Sequence, residues 1–192
     1  MDTDHTSGLY EVLESGYEIK YLVLHELCRQ DEKYDNLRFA AREAGTKVCY
    51  MQNGDQIISE KMEIRCIGPL IENGAGIGKD KNENSMILLL EEKESGFQGL
   101  FAGDISAEIE SILCKEEILF DVDLFKANHH GSNYSNSSKL LERICPEYIV
   151  VSCSKKNLYG HPGEKAVERM EESGAKIFYT MENGQIAFPL IQ

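Results

Sequence analysis

Ala127-Asn128-His129-His130-Gly131-Ser132 and Asn157-Leu158-Tyr159-Gly160-His161-Pro162 are the stretches on which the reading of this chain turns. Each follows an apolar run of strand character, residues 122–127 before the first and 148–153 before the second. The chain has five histidines, and three of them fall in these two segments. A loop at the carboxyl end of a strand is held by a rigid scaffold yet open to solvent. Imidazole titrates near neutrality and binds metals, so histidines placed there suit a metal or catalytic site. The opening Asp2-Thr3-Asp4-His5 adds three oxygen or nitrogen ligands within four residues.

Length and composition frame this reading. A chain of 192 residues is one domain, or one domain with an appendage, and its hydrophobic content of 42% can fill a core. No apolar run approaches the ~20 residues a membrane-spanning helix needs; the longest, 86–90, is strand-sized. Acidic residues come first and no apolar stretch follows at once, unlike a signal peptide. The net charge of −13 argues against a broad nucleic-acid-binding surface. Phosphate held through metal ions stays compatible with it, because bound cations reverse the local field. The six cysteines show no Cys-x-x-Cys pairing and read as reduced, mostly buried thiols.

Residues 6–15 read as a helix capped by Thr6 or Ser7, with Leu9, Val12 and Leu13 on its apolar stripe. On that reading Asp4 and His5 sit in a tight loop ahead of the helix. A strand at 21–24 and an amphipathic helix at 31–44 follow. Short strands are expected at 46–50, 56–59 and 62–67, with a turn at Asn53-Gly54-Asp55. Residues 70–84, rich in Gly, Asn and Lys, read as a mobile loop. Residues 86–90 and 99–102 form a hairpin pair, and 106–114 a helix. The remainder alternates: strand 122–127, helix 137–144, strand 148–151, helix 164–173, strand 176–179, turn 182–184, strand 185–188. Hairpins followed by strand–helix alternation predict a layered α/β architecture with a mixed sheet.

Each candidate has a structural alternative. Asp104, after Leu100-Phe101-Ala102-Gly103, is either a helix-capping aspartate or a metal-bridging carboxylate at a strand end. His129 and His130 follow a strand directly, so one ring faces the sheet end and the other a neighbouring loop. His161 is either a residue fixed by Pro162 ahead of a helix or part of the site. Asn82-Glu83-Asn84-Ser85 either caps its loop or turns an amide into a polar site. His25, at the end of strand 21–24 with no acidic-histidine pattern around it, is set aside as non-functional unless the structure places it in the cleft.

Together these residues resemble the metallo-β-lactamase-like domain of the ComEC competence proteins and their stand-alone relatives. The family shows a His-x-Asp-x-Asp-His run, an Asn-x-x-Ser element, Gly-Asp after a strand, a His-His-Gly-Ser loop and a Gly-His-Pro loop. Here these stand as Asp2-Thr3-Asp4-His5, Asn82 to Ser85, Gly103-Asp104, His129 to Ser132 with Ser135 beyond, and Asn157 to Pro162. Thr180 to Ile186 resembles the closing Thr-x-x-x-Gly-x-Ile. Order and spacing agree from residue 2 to about 188. The first histidine of the run falls two residues before Asp2. The family's domain also starts roughly fifty residues earlier. The expectation is therefore one domain over 1–192 that lacks its N-terminal strands.

The resemblance implies an α/β fold, a metallo-β-lactamase-like αββα sandwich with mixed sheets whose first sheet is incomplete. It implies metal-dependent phosphodiester hydrolysis with two divalent ions, zinc or manganese, in the intact domain, and none or one here. Asp104 would bridge them. Asp4, His5 and one of His129 or His130 would hold one ion, and Asp2 the other; the assignment adopted puts His129 among the ligands and His130 with His161 in catalysis. Asn84, Ser85, Ser132 and Asn157 would touch substrate. A nuclease linked to DNA uptake, acting on single-stranded DNA, is the favoured function; in that family the domain is thought to degrade the strand not taken up. The alternatives are a non-nuclease phosphoester hydrolase on the same fold and a catalytically inactive fragment. A free-standing chain would be cytoplasmic; as part of a full ComEC-type protein it would sit on the outer face of the cytoplasmic membrane. Loss of the first strands would leave strands 21–24 and 46–50 at an open edge and favour self-association through the N-terminal half.

Overall fold

The structure is a computed structural model that describes residues 3–72, 75–116 and 119–188. Its N-terminal quarter forms a small α/β unit. α1 (Thr3–Glu14) is followed by β1 (Tyr21–His25), two 3₁₀ turns, α2 (Asp35–Glu43) and β2 (Lys47–Met51). Parallel strands need a crossover, and α2 supplies it. β1 and β2 pair in parallel as a two-stranded sheet, with Tyr21 opposite Lys47 and His25 opposite Met51. Leu13, Leu24, Leu37 and Ala41 form the core of this unit.

α1 begins earlier than the cap at Thr6 or Ser7 predicted. Nothing in Thr3-Asp4-His5-Thr6-Ser7 breaks a helix. Asp4 and His5 therefore lie on the first turn of the helix, not in a loop ahead of it. The predicted helix over 31–44 splits instead: Asp31 accepts from the Lys33 N–H to cap a 3₁₀ turn, and α2 starts only at Asp35.

The second unit is a seven-stranded mixed sheet. β3 (Gln56–Ile58), β4 (Met62–Gly68), β7 (Ile87–Glu92) and β8 (Gln98–Phe101) pair antiparallel in succession, and a small hairpin of β5 (Ile71–Glu72) and β6 (Ala75–Gly76) lies between. Then come α3 (Ala107–Leu113), β9 (Leu124–Lys126), α4 (Ser138–Ile144), β10 (Tyr148–Val151), α5 (Glu164–Glu172), β11 (Lys176–Tyr179) and α6 (Thr180–Asn183). The strand order is β11-β10-β9-β8-β7-β4-β3. Phe125, Ile149, Leu100, Ile87 and Met170 are among the fully buried side chains of its core.

β8, β9 and β10 run parallel to one another. Parallel neighbours end at the same side of a sheet, so the segments after Phe101, Lys126 and Val151 all emerge at one edge. That single topological fact brings Asp104, the paired histidines and the loop of His161 together.

Three expectations are corrected here. The described residues of 70–84 hold the β5–β6 pairing and a turn in which Asn84 donates to the carbonyls of Gly78 and Asp80. Residues 185–188 are not a strand. The backbone enters α6 instead and leaves through Gly184 at φ 67°, while Phe188 packs on Tyr148 and Phe178. The cysteines are all free, but only Cys66 is buried and Cys145 is exposed, so they are less buried than their apolar surroundings suggested.

Candidate metal centre

Asp104 leaves β8 through a tight turn. Gly103 sits at φ 60°, and a Cβ there would lie 2.6 Å from the Ser85 Cβ, so the turn needs glycine. The Asp104 N–H donates to Ser85 Oγ at 3.1 Å, and Ser85 Oγ donates to the Asn82 carbonyl at 2.7 Å. The Gly103 carbonyl accepts from the His129 N–H at 3.1 Å, which couples this turn to the histidine loop.

The histidine loop is strained. His129 (φ 48°) and His130 (φ 54°) are consecutive residues in the left-handed region. Such conformations cost of order 1–3 kcal/mol each and persist only where surroundings impose them. The surroundings here are a buried polar network around Glu110. Its Oε1 accepts from Asn128 Nδ2 at 2.8 Å and the Asn136 N–H at 2.6 Å, and its Oε2 from the Ser137 N–H at 2.8 Å. Asn136 clasps both backbone groups of Asn128. Arg169 of α5 donates to the carbonyls of Asn136, Ser135 and Asn133. Gly131 meets the second loop: its carbonyl accepts from the Gly163 N–H, and a Cβ on it would lie 2.8 Å from Pro162.

This framework brings three ligand atoms together. His5 Nε2 lies 2.9 Å from Asp104 Oδ2, His130 Nε2 lies 3.7 Å from the same oxygen, and the two Nε2 atoms are 3.3 Å apart. Bonds of ~2.0–2.1 Å meeting at a tetrahedral angle would place donor atoms ~3.3–3.4 Å from one another. His130 Nδ1 donates to the Ser152 carbonyl at 2.8 Å. That bond puts the ring proton on Nδ1 and leaves Nε2 with a lone pair facing the cluster, as a metal ligand requires. Asp104 is 7% exposed, and its Oδ1 has no hydrogen-bond partner among the described residues. A buried carboxylate oxygen left unmatched is what a cation would satisfy. The donor set and the orphaned oxygen both fit a divalent ion. Burial acts to raise the Asp104 carboxyl, but the His5 hydrogen bond and the charges of His5, His130 and His129 outweigh it and hold the group below its usual range.

The predicted site residues divide as follows. His5, Asp104 and His130 converge. His129, assigned as the ligand, is outside that triad, and His130, assigned to catalysis, is in it. The physical reason is the double left-handed turn, which swings the His129 ring toward His161, with centroids 5.4 Å apart. His161 stacks on Tyr159 at 6.0 Å. Burial lowers its pKa, and the charges of His129 and His130 add to this against Asp104. Asp2 and the Asp4 side chain lie outside the described residues. The four residues assigned to substrate contact all make hydrogen bonds to backbone. Asn84 and Ser85 brace the turn before β7, Ser132 Oγ accepts from the Tyr134 N–H, and Asn157 spans the His161 loop through Ser154 and His161.

Two cavities flank the triad. One of about 290 Å³ is lined by His5 and Asp104 together with His25, Tyr34, Lys81 and Asn82. Another of about 320 Å³ is lined by His130, Ser152, Cys153, Tyr159 and His161. The sequence alone does not reveal Glu110 and Arg169 as the groups that hold the histidine loop. Glu110 carried one signal, a carboxylate beside Ile109 and three residues before Leu113 on the face of α3 that faces the core.

No protein-family model matches the chain. It is 26% identical over 187 residues, 97% of its length, to ComE operon protein 3 of Bacillus subtilis (strain 168). It is 31% identical over 113 residues, 58% of its length, to competence protein ComA of Neisseria gonorrhoeae. The chain spans 23% and 16% of the length of these two relatives. Among solved structures it superposes on the metallo-β-lactamase fold protein YhfI of Bacillus subtilis with a TM-score of 0.55 at 6% identity, covering 93% of this chain and 71% of that one. The chain is thus similar to two competence proteins, to the first along almost its whole length, and its fold is the metallo-β-lactamase fold.

Proposed function

We propose that the chain hydrolyses phosphodiester bonds at the His5–Asp104–His130 centre. The observation that carries this is the triad itself, three donor atoms within 4.8 Å of one another with His130 held in the ligand tautomer. His5, Asp104 and His130 would hold one divalent ion, zinc or manganese. Such an ion, when bound, supplies Lewis-acid polarisation of a phosphoryl oxygen and lowers the pKa of water to form a nucleophile at neutral pH. Asp104 carries a negative charge at neutral pH: against burial, the His5 hydrogen bond and neighbouring imidazoles hold its carboxyl below its usual range. His161, with its pKa lowered by burial, is neutral near pH 7 and can accept or relay a proton at the wall of the second cavity. A diester has an arm on each side of its phosphorus, and the flanking cavities offer each arm a wall; a monoester would use only one.

In the specific form of this reading the substrate is single-stranded DNA and the reaction serves DNA uptake, in keeping with the competence relatives. The charge of −13 favours a second form, a small phosphodiester on the same centre, because a long polyanion meets net repulsion. Turnover with zinc or manganese on bis(4-nitrophenyl) phosphate, 4-nitrophenyl phosphate and a single-stranded oligonucleotide separates them. The diester should be cleaved at least about tenfold faster than the monoester. Cleavage of the oligonucleotide as well supports the nuclease form, and cleavage of the small diester alone the second. Preferential cleavage of the monoester, or no metal-dependent cleavage of any, contradicts the proposal.

A further inference from the structure

We propose that His25 is a substrate-binding residue, a fixed neutral hydrogen-bond donor for a phosphate oxygen in the cavity beside Asp104. The inference rests on the phosphodiester reading above and names a contact within it. His25 ends β1 and is 6% exposed. Its Nδ1 accepts from the Leu27 N–H at 3.1 Å, which caps the following 3₁₀ turn. An Nδ1 that accepts carries no proton, so in the neutral ring the proton is on Nε2. Burial is the main influence on the ring, and it favours the neutral form.

Nε2 has no hydrogen-bond partner among the described residues. Capping does not account for this. A Ser or Thr hydroxyl would cap the same turn with a single polar atom. Buried N–H groups without partners are rare in folded proteins because the lost hydration is not recovered. The side chain lines the cavity of about 290 Å³ that also holds His5, Asp104, Lys81 and Asn82.

The tautomer decides what the group can bind. A metal needs a lone pair on Nε2, and that position carries the proton, so His25 is not a further ligand of the cluster. It offers one N–H to an acceptor. In a cavity that begins at the proposed centre of phosphodiester cleavage, the acceptor is a phosphate oxygen. The donor stays uncharged, so it orients the phosphate without competing with the metal ligands for a cation or altering the charge at Asp104.

The test uses the full chain with one equivalent of zinc and its histidines labelled with ¹⁵N. Long-range ¹H–¹⁵N correlations should show His25 as the neutral, Nε2-protonated tautomer. Inorganic phosphate should then shift the His25 Nε2 resonance saturably. His25→Phe, which keeps a planar ring but no donor, should weaken phosphate binding about tenfold. His25→Gln, whose amide nitrogen can reach the place of Nε2, should stay within about threefold of the parent. An Nδ1-protonated His25, a resonance unmoved at saturating phosphate, or equal phosphate affinity in His25→Phe and the parent would overturn the inference. The resonance is read on the parent chain, so a variant that fails to fold leaves the test intact. Turnover of bis(4-nitrophenyl) phosphate on the same sample separates the two claims. Hydrolysis with an unmoved His25 sinks this contact alone. A shifted His25 without hydrolysis keeps the phosphate contact and sinks the hydrolytic reading.

Discussion

Asp104→Asn is expected to lower metal-dependent hydrolysis by more than about a hundredfold while the chain stays folded. The carboxylate is the one anionic ligand of the triad, 2.9 Å from His5 Nε2 and 3.7 Å from His130 Nε2. An amide keeps the shape but not the charge that draws a cation between two imidazoles. Stability should move differently. In the metal-free chain the Asp104 carboxylate sets the His5 hydrogen bond on one oxygen against an unmatched second oxygen, two opposing contributions. The substitution should therefore leave the metal-free chain within about 1 kcal/mol of the parent, on either side. Zinc separates the two proteins clearly. At a hundred times its Kd, zinc adds about 2.7 kcal/mol to the parent's stability. For a chain of this size that is about 5–11 °C in Tm. The asparagine variant should gain less than about 2 °C at the same concentration. Thermal melts with and without zinc, beside turnover, check both halves. An equal zinc shift in both proteins would remove Asp104 from the ligand set.

Glu110→Ala is expected to be the most destabilising single change in the seven-stranded unit, at about 3 kcal/mol or more, which is about 6–12 °C in Tm. The carboxylate is fully buried and accepts three hydrogen bonds, from Asn128 Nδ2 and the Asn136 and Ser137 N–H groups. Truncation strands all three donors where water reaches them poorly. Glu110→Gln should not rescue, because its amide nitrogen would face an N–H in at least one of these positions. The loop that begins at Asn128 carries His130, so zinc affinity should fall with stability. Calorimetric Tm together with a zinc titration reads both. A Glu110→Ala chain that melts within about 2 °C of the parent, about 1 kcal/mol at most, would show that the left-handed turn is held by other contacts.

These two residues mark what the sequence made legible. Asp104 on its own reads equally as a helix cap and as a metal-bridging carboxylate; it is its place beside the two histidine loops in the family resemblance that singles it out. The mixed sheet followed from hairpins giving way to strand–helix alternation, and residues 148–151 and 176–179 are strands with those bounds. Glu110 did not stand out. A glutamate in a short helix is ordinarily solvated, and its burial depends on a loop that begins eighteen residues later. The choice between His129 and His130 was equally hidden. It is fixed by two consecutive positive φ values, which non-glycine residues adopt only under tertiary constraint. Asn84, Ser85, Ser132 and Asn157 were noticed as polar residues beside the site. Side-chain type cannot tell a group that faces a ligand from one that braces its own turn. His25 was set aside because no motif surrounds it; its significance lies in one nitrogen that capping leaves unpaired.

An anomalous difference map from crystals of the chain grown with one equivalent of zinc tests the metal centre most directly. A single strong peak is predicted at ~2.0–2.2 Å from His5 Nε2, His130 Nε2 and an Asp104 carboxylate oxygen, with His25 and His129 outside bonding distance. A peak held by His129 and His161, or no peak at the triad with zinc present in the crystal, would contradict it.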